Sequence, residues 1–133
     1  MRGFIKPLLL GAALLSVPAL AATRDTPEVK LQKLIGERVA GAPVDCIDLH
    51  GSQSSQIIDG KAIVYRSGAK LYVNTPKSGA ESLNDDDILV TKTFSSQLCR
   101  MDAVHMVDRS SGFPRGFVLL DKFVPYTKAK TSK

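Results

Sequence analysis

Two histidines are the side chains through which this 133-residue chain could bind a metal or transfer protons. Cys46, Asp48 and His50 alternate along the sequence, so in an extended strand they would share one face and offer a thiolate, a carboxylate and an imidazole to zinc. A disulfide at Cys46 would remove the thiolate. The other two side chains are then typical of a polar strand edge with a hydrogen-bonded histidine, and we predict no metal site here.

The second histidine, His105, lies among residue types that recur in copper sites and in hydrolases. Its neighbour Met106 could bind copper with it, but adjacent side chains of a strand face opposite ways, so we assign Met106 to the core. Asp108, Ser110 and Ser111 complete the composition of a catalytic triad, yet neither serine lies in a Gly-x-Ser-x-Gly turn. The sequence therefore predicts no catalytic residue. A small periplasmic hydrolase that uses a histidine and a carboxylate is the alternative.

Residues 84–87, Asn-Asp-Asp-Asp, gather four oxygen-bearing side chains that could attract a cation. Calcium loops alternate their ligands and need a glycine at the sharp turn and a closing glutamate, which this segment lacks. We interpret it as a solvated turn, with weak calcium binding as the alternative, and we predict no cofactor.

The segment 108–117 combines arginines and aromatic residues with flexible turn residues. Such side chains dominate binding hot spots because they join a large contact area to directional contacts. The candidate partner-binding residues are Arg109, Phe113, Arg115 and Phe117. The interpretation that we favour for the same residues is structural: the two phenylalanines cover the end of the core while the arginines pair with Asp102 or Asp108 at the surface.

The two cysteines, Cys46 and Cys99, each have apolar neighbours. An even number of cysteines in an exported protein predicts a structural disulfide. A reactive thiol or a metal ligand is the alternative, although the closely spaced cysteine pair of a redox motif is absent from the sequence.

The first 21 residues have the pattern of an export signal. Arg2 and Lys6 precede an apolar stretch, and small residues up to Ala21 provide a cleavage site after that residue. Because the apolar stretch is shorter than the roughly 20 residues that span a bilayer, we predict a soluble periplasmic or secreted protein with no transmembrane segment after processing. Without Arg2 and Lys6, 16 basic residues face 13 acidic ones. That excess is too small to favour nucleic-acid binding.

The elements that must position these side chains fall into a helical segment and a β-rich domain. Residues 22–43 predict one short helix and a linker, since Thr26 can cap the helix and Gly41 and Pro43 are placed to end it. From residue 44 to 126, short runs of Val, Ile, Tyr and Thr between turn residues predict a small antiparallel barrel or sandwich of six to seven strands. Residues 127–133 predict a disordered tail.

The clearest local signal is a β-hairpin around Asp59 and Gly60, which are typical of a two-residue turn with positive backbone angles. In that register Ile57 shares a face with Ala62 and Val64. Further strands are predicted at residues 70–74, 87–91, 103–107 and 116–120.

Four short segments follow one another within the β-rich domain. They are Asp45-Cys46-Ile47, Leu71-Tyr72-Val73-Asn74, Leu98-Cys99-Arg100 and Phe123-Val124-Pro125-Tyr126. In this order they resemble a family of small exported proteobacterial proteins built on a single domain of unknown function. Many members carry a second cysteine pair, near Ala80 and near Val118, which this chain lacks. The resemblance therefore supports a bridge between Cys46 and Cys99, and it implies no substrate, cofactor or active site.

These observations together predict a non-catalytic binding or interaction module of the bacterial cell envelope. The expected partner is an envelope protein or an anionic envelope component such as a lipid headgroup or a cell-wall polymer.

Overall fold

The computed structural model describes residues 3, 11–18, 23–51 and 54–130, and in these residues the protein is mainly β. They contain one α-helix, α1 (Pro27–Ile35), and one 3₁₀ turn (Ala80–Ser82). The ten strands are β1 (Arg38–Ala40), β2 (Cys46–Asp48), β3 (Ser54–Ile58), β4 (Ala62–Ser67), β5 (Lys70–Asn74), β6 (Ile88–Thr91), β7 (Gln97–Cys99), β8 (Ala103–Val107), β9 (Pro114–Leu119) and β10 (Phe123–Lys128).

The helix begins as predicted and ends early. Thr26 caps it, since its hydroxyl oxygen accepts a hydrogen bond from the backbone N–H of Val29 at 3.3 Å. The last helical residue is Ile35 rather than a residue near Gly41, because Gly36 takes a positive φ of 60° and closes the final turn.

Strand β1 lies inside the predicted linker and pairs with β10, with Val39 opposite Thr127. Strand pairing therefore continues to Lys128, two residues into the predicted disordered tail at 127–133. A three-residue strand such as β1 is too short to show the alternation of apolar and polar residues that predicts a strand from sequence. In the fold, pairing with a partner strand stabilises it.

The strands form three antiparallel sheets. Their orders are β1-β10-β5-β4-β3, β2-β7 and β6-β8-β9. The mainly β class with one helix is confirmed and the arrangement is sandwich-like, but the number of strands is wrong: ten occur where six to seven are predicted. Within the described residues no barrel closes, because β3 and β6 end their sheets without pairing with each other.

The main core lies between the five-stranded sheet and the two smaller sheets. Phe123 and Tyr65 meet edge to face with ring centroids 5.9 Å apart, and Met106 and Val118 reach the same cluster from the three-stranded sheet. A second cluster, built around Ile58 and including Ala62 and Val64, packs under α1 on the other face of the five-stranded sheet. That sheet is therefore covered on both faces.

The hairpin is present, but its predicted register is wrong by one residue. Ile57 lies opposite Ile63, and a three-residue loop of Asp59, Gly60 and Lys61 separates the strands. Only Gly60 takes a positive φ there, 62°, so the two-residue turn is not formed. Because side chains alternate along a strand, the slip moves Ile57 away from the face of Ala62 and onto that of Ile63.

The predicted disulfide between Cys46 and Cys99 is confirmed. The two residues lie directly opposite each other in the β2-β7 pair, with their Cα atoms 4.0 Å apart. The predicted signal segment 1–21 falls largely outside the described residues, and the part described at 11–18 has no regular secondary structure. Among the helices that the structure describes, none has both the length and the apolar character needed to cross a bilayer.

Candidate functional site

One face of the three-stranded sheet carries a row of exposed side chains, an aliphatic and an aromatic one with a histidine between them. Val90 on β6 lies opposite His105 on β8, which lies opposite Phe117 on β9, so the three share a face. The His105 and Phe117 rings are 5.6 Å apart. Ile88, Val90 and Phe117 are 42%, 36% and 51% exposed, respectively. We call Ile88, Val90, His105 and Phe117 the apolar face.

The apolar face results from the alternation of the strands. Val104 and Met106 of β8 are fully buried on the core side, which leaves His105 between them on the outer side. No layer covers this outer side in the part of the chain that the structure describes, in contrast to the five-stranded sheet, which α1 covers.

The loop between β8 and β9 is organised by the carboxylate of Asp108. This carboxylate accepts hydrogen bonds from the backbone N–H groups of Ser110 and Ser111, at 2.9 and 2.7 Å, and from the Ser111 hydroxyl at 3.0 Å. The guanidinium of Arg115 also donates to it, with Nε 3.0 Å from Oδ2. The Arg115 guanidinium, followed by the Ser111 donors, holds the pKa of Asp108 well below its usual range.

Arg115 has a second acidic neighbour, Asp87. The carboxylate of Asp87 is 1% exposed, and Arg115 Nε lies 3.3 Å from its Oδ1. Since the single Nε–H donates to Asp108, neither oxygen of Asp87 accepts a hydrogen bond from the described residues. The single positive charge of Arg115 is thus shared between a buried carboxylate and a loop carboxylate.

The guanidinium of Arg109 contacts the backbone of the acidic segment 84–87. Its Nε donates to the carbonyl oxygen of Asp86 at 3.1 Å. The sequence predicts that the arginines pair with Asp102 or Asp108. Arg115 forms the pair with Asp108, whereas the Asp102 carboxylate accepts a hydrogen bond from the backbone N–H of Cys99 at 2.7 Å.

The phenylalanines of the predicted partner-binding loop do not cover the core. Phe113 is 72% exposed and Phe117 is about half-exposed. The structure therefore places the four predicted residues in one region, with the aromatic rings free at the surface and Arg115 engaged in ion pairs.

A cavity of about 620 Å³ lies between the edges of β3 and β6, next to the apolar face. Residues 55–57, residues 85–89 and Arg109 line it. Asp85 and Asp59 are linked to each other, since the backbone N–H of Asp85 donates to Asp59 at 2.7 Å, and Lys30 forms ion pairs with both. Segment 84–87 is therefore a structured part of the fold with a buried member, Asp87, and the interpretation as a solvated turn is wrong for that residue.

A second cavity, of about 530 Å³, lies between α1 and strands β5 and β10. Two opposite charges in its lining, Glu28 and Lys61, lie 3.4 Å apart and pair with each other. We place the candidate site at the apolar face and the β3/β6 cavity instead, because these combine exposed aromatic rings with a buried carboxylate that lacks a hydrogen bond.

In the described residues, neither histidine lies in the metal cluster or the catalytic triad that the sequence composition brings to mind. Cys46 is bonded to Cys99, and Asp48 accepts the backbone N–H of His50 at 2.8 Å. Ser111 donates directly to Asp108 with no imidazole between them, so the triad is not formed. No three His, Cys, Asp or Glu side chains within the described ranges are grouped to hold a metal ion.

Sequence reasoning missed Ile88, Val90 and Asp87 as members of the site. The alternation in β6 is a signal for the first two, since residues two apart on an edge strand share a face. Asp87 gives no such signal, because its burial depends on contacts with the distant loop 108–117.

Comparison of the chain with protein-family models, with curated proteins and with solved structures finds no match. The resemblance to small exported proteobacterial proteins stays a prediction. The 3₁₀ turn at Ala80–Ser82 packs on β9, and a Cβ atom built on Gly79, beside Ala80, would lie 3.2 Å from the Cα of Val118.

Proposed function

We propose that the protein is an exported, non-catalytic binding module of the bacterial cell envelope that holds a protein partner on its apolar face. One observation carries this proposal: Val90, His105 and Phe117 form a row across three paired strands, on a sheet face that no other described layer covers. Contiguous exposed apolar side chains of this kind mark interaction sites in soluble proteins.

The geometry favours binding without a large ordering cost. The row stands on hydrogen-bonded strands, and Asp108 fixes the neighbouring loop through four donor groups on Ser110, Ser111 and Arg115. A backbone that is already ordered loses little conformational freedom when a partner docks, so more of the contact energy contributes to affinity.

The charges of the region favour a protein over an anionic lipid or cell-wall polymer. Arg115 is neutralised by Asp87 and Asp108, and Arg109 lies against the acidic segment 84–87. An anionic surface would need a concentrated positive patch, which these pairings remove. An apolar protein surface needs shape complementarity and exposed apolar area, and the half-exposed ring of Phe117 offers such area on this face.

Export to the periplasm or medium belongs to the same proposal. The cationic and apolar start of the sequence supports it, and so does the bond between Cys46 and Cys99, since disulfides persist in oxidising compartments.

Photo-crosslinking in the native cells tests the proposal. A benzophenone amino acid replaces Val90 on the apolar face or, as the matched control, exposed Lys33 on the opposite side of the fold. We expect one adduct of defined mass at position 90, no such adduct at position 33, and loss of the adduct in a Phe117→Ser variant that keeps its far-UV circular dichroism. The same adducts at both positions, or none at position 90, would overturn the proposal. An adduct of twice the chain mass would assign the face to a second copy.

A further inference from the structure

The cavity beside the apolar face is lined by two open sheet edges. β3 ends the five-stranded sheet, β6 ends the three-stranded sheet, and residues 55–57 and 85–89 line the space between them. In the described residues no backbone hydrogen bond from another segment reaches the outer side of β3 or β6.

On β3 the direction of the unpaired backbone groups follows from the hairpin. The backbone N–H of Lys61 donates to the carbonyl of Ile58 at 3.0 Å, so Ile58 directs its backbone groups toward β4. In an antiparallel strand these groups point alternately to the two sides, which leaves the N–H and C=O groups of Ser55 and Ile57 on the open side.

The same reasoning applies to β6. The carbonyl of Asp102, just before β8, accepts the N–H of Leu120 at 3.0 Å, so even-numbered residues at this end of β8 face β9. His105 therefore directs its backbone groups toward β6 and Val90, and Leu89 directs its own to the open side. Each edge thus presents free donors and acceptors to the cavity.

The cavity is also acidic. Its lining carries Asp85, Asp86 and Asp87 against the single cation Arg109. Lys30 pairs with Asp85, whereas within the described ranges no cation lies within ion-pair distance of the carboxylate of Asp86. Asp87 lines the cavity with a buried carboxylate that accepts no hydrogen bond from described residues. Arg115 lies at ion-pair distance from one oxygen of Asp87, so the cost that remains is that of the missing hydrogen bonds, and a donor from a partner would relieve it.

We infer that this cleft binds an extended segment of a partner protein by strand addition, with a lysine or arginine of that segment directed toward Asp86 and Asp87. Open edges supply the main-chain hydrogen bonds of such a mode, and pockets beneath alternate side chains supply its specificity. Ile57 and Leu89 form the apolar side of the cleft, so the neighbouring side chains of the segment are apolar. The volume of about 620 Å³ lies in the usual range of ligand clefts.

Peptides of random sequence, displayed on phage and selected against the full oxidised chain, test this inference. Peptides that are enriched are synthesised with a fluorophore, and their affinities are measured by anisotropy for the wild type and three variants. Asp86→Asn removes the free carboxylate charge, and Ser55→Pro removes an N–H that faces the cleft. Glu81→Gln is the matched control, since it makes the same charge change at an exposed site outside the lining.

We expect enriched peptides to contain Lys or Arg between apolar residues and to bind the Asp86→Asn and Ser55→Pro variants at least fivefold more weakly, with no change for Glu81→Gln. Thermal melting of Ser55→Pro checks its fold. If Ser55→Pro unfolds, the Asp86→Asn variant still tests the inference. Absence of enrichment, or equal affinity for wild type and Asp86→Asn, would overturn the inference. Self-association of the chain that Ser55→Pro abolishes would also overturn it and assign the cleft to a second copy.

The cleft and the apolar face can fail separately. Binding of an enriched peptide that survives Phe117→Ser supports the cleft alone, because Phe117 does not line the cavity. Binding that Phe117→Ser abolishes and Asp86→Asn does not would support the apolar face and refute the cleft.

Discussion

Removing the disulfide is expected to cost a large part of the stability of the domain. Cys46 and Cys99 are 53 residues apart in sequence, and a crosslink that closes a loop of this length restricts the unfolded chain by about 4 kcal/mol in the chain-entropy treatment. Domains of this size are stable by about 5–15 kcal/mol in total. The bridge also ties β2 to β7, a pair with only three residues on each side, so few backbone hydrogen bonds between the two strands hold it.

Urea unfolding of the Cys46→Ala/Cys99→Ala variant, followed by far-UV circular dichroism, measures this loss. With a slope of about 1–3 kcal/mol per molar urea, a loss of about 4 kcal/mol lowers the midpoint by roughly 1.3–4 M. Wild-type protein unfolded in excess dithiothreitol is the control for effects of the substitution itself, and it should behave as the variant does. A midpoint lowered by less than about 0.5 M at unchanged slope would refute the reasoning that loop closure dominates.

Three further outcomes follow from individual residues. In thermal melts, Gly79→Ala should destabilise the fold much more than Gly60→Ala, although both glycines have positive φ. A Cβ atom at Gly79 would lie 2.5 Å from a backbone oxygen, whereas a Cβ atom at Gly60 would meet no atom within 4 Å. At Gly60 only about 1 kcal/mol of backbone strain is expected. Ala80→Cys/Val118→Cys should form a second disulfide, visible as a loss of two hydrogens in the non-reduced mass, because the 3₁₀ turn packs on β9. Asp108, whose folded pKa is depressed, stabilises the fold fully above its unfolded pKa of about 4, and this contribution falls as the pH drops from there through the lower folded pKa; the deficit in the urea midpoint of Asp108→Asn should therefore be full at pH 6 and begin to narrow below about pH 4.

The fold could be predicted from the sequence where a signal spans several residues. β5 and β8 occupy their predicted residues, and the cap at Thr26 starts the helix. The strands β1, β2 and β7 have three residues each, which is too short for alternation to be read, and only pairing with distant strands defines them. The hairpin register depends on one extra loop residue, Lys61, and the composition around Gly60 does not determine loop length.

The candidate site divides in the same way. The loop with Phe113 and Phe117 could be recognised as a candidate because its composition is local; the structure leaves both rings exposed rather than over the core, and partner binding stays a prediction. The cavity could not, since it arises where two sheets fail to join and β3 and β6 are far apart in sequence. Nor could the burial of Asp87, which depends on an arginine 28 residues further along the chain.

The pairing of Arg115 determines which experiments can report on partner binding. Reversing its charge would place an acidic side chain beside Asp87, whose carboxylate is already buried without a hydrogen bond, and beside Asp108, which organises the loop. Such a variant would lose the loop whether or not Arg115 touches a partner, because a buried charge without its counterion is strongly unfavourable. The side chain of Phe117 is half-exposed and takes part in no ion pair that holds the loop. A loss of binding on replacing it, with the fold intact, therefore reports on the surface itself.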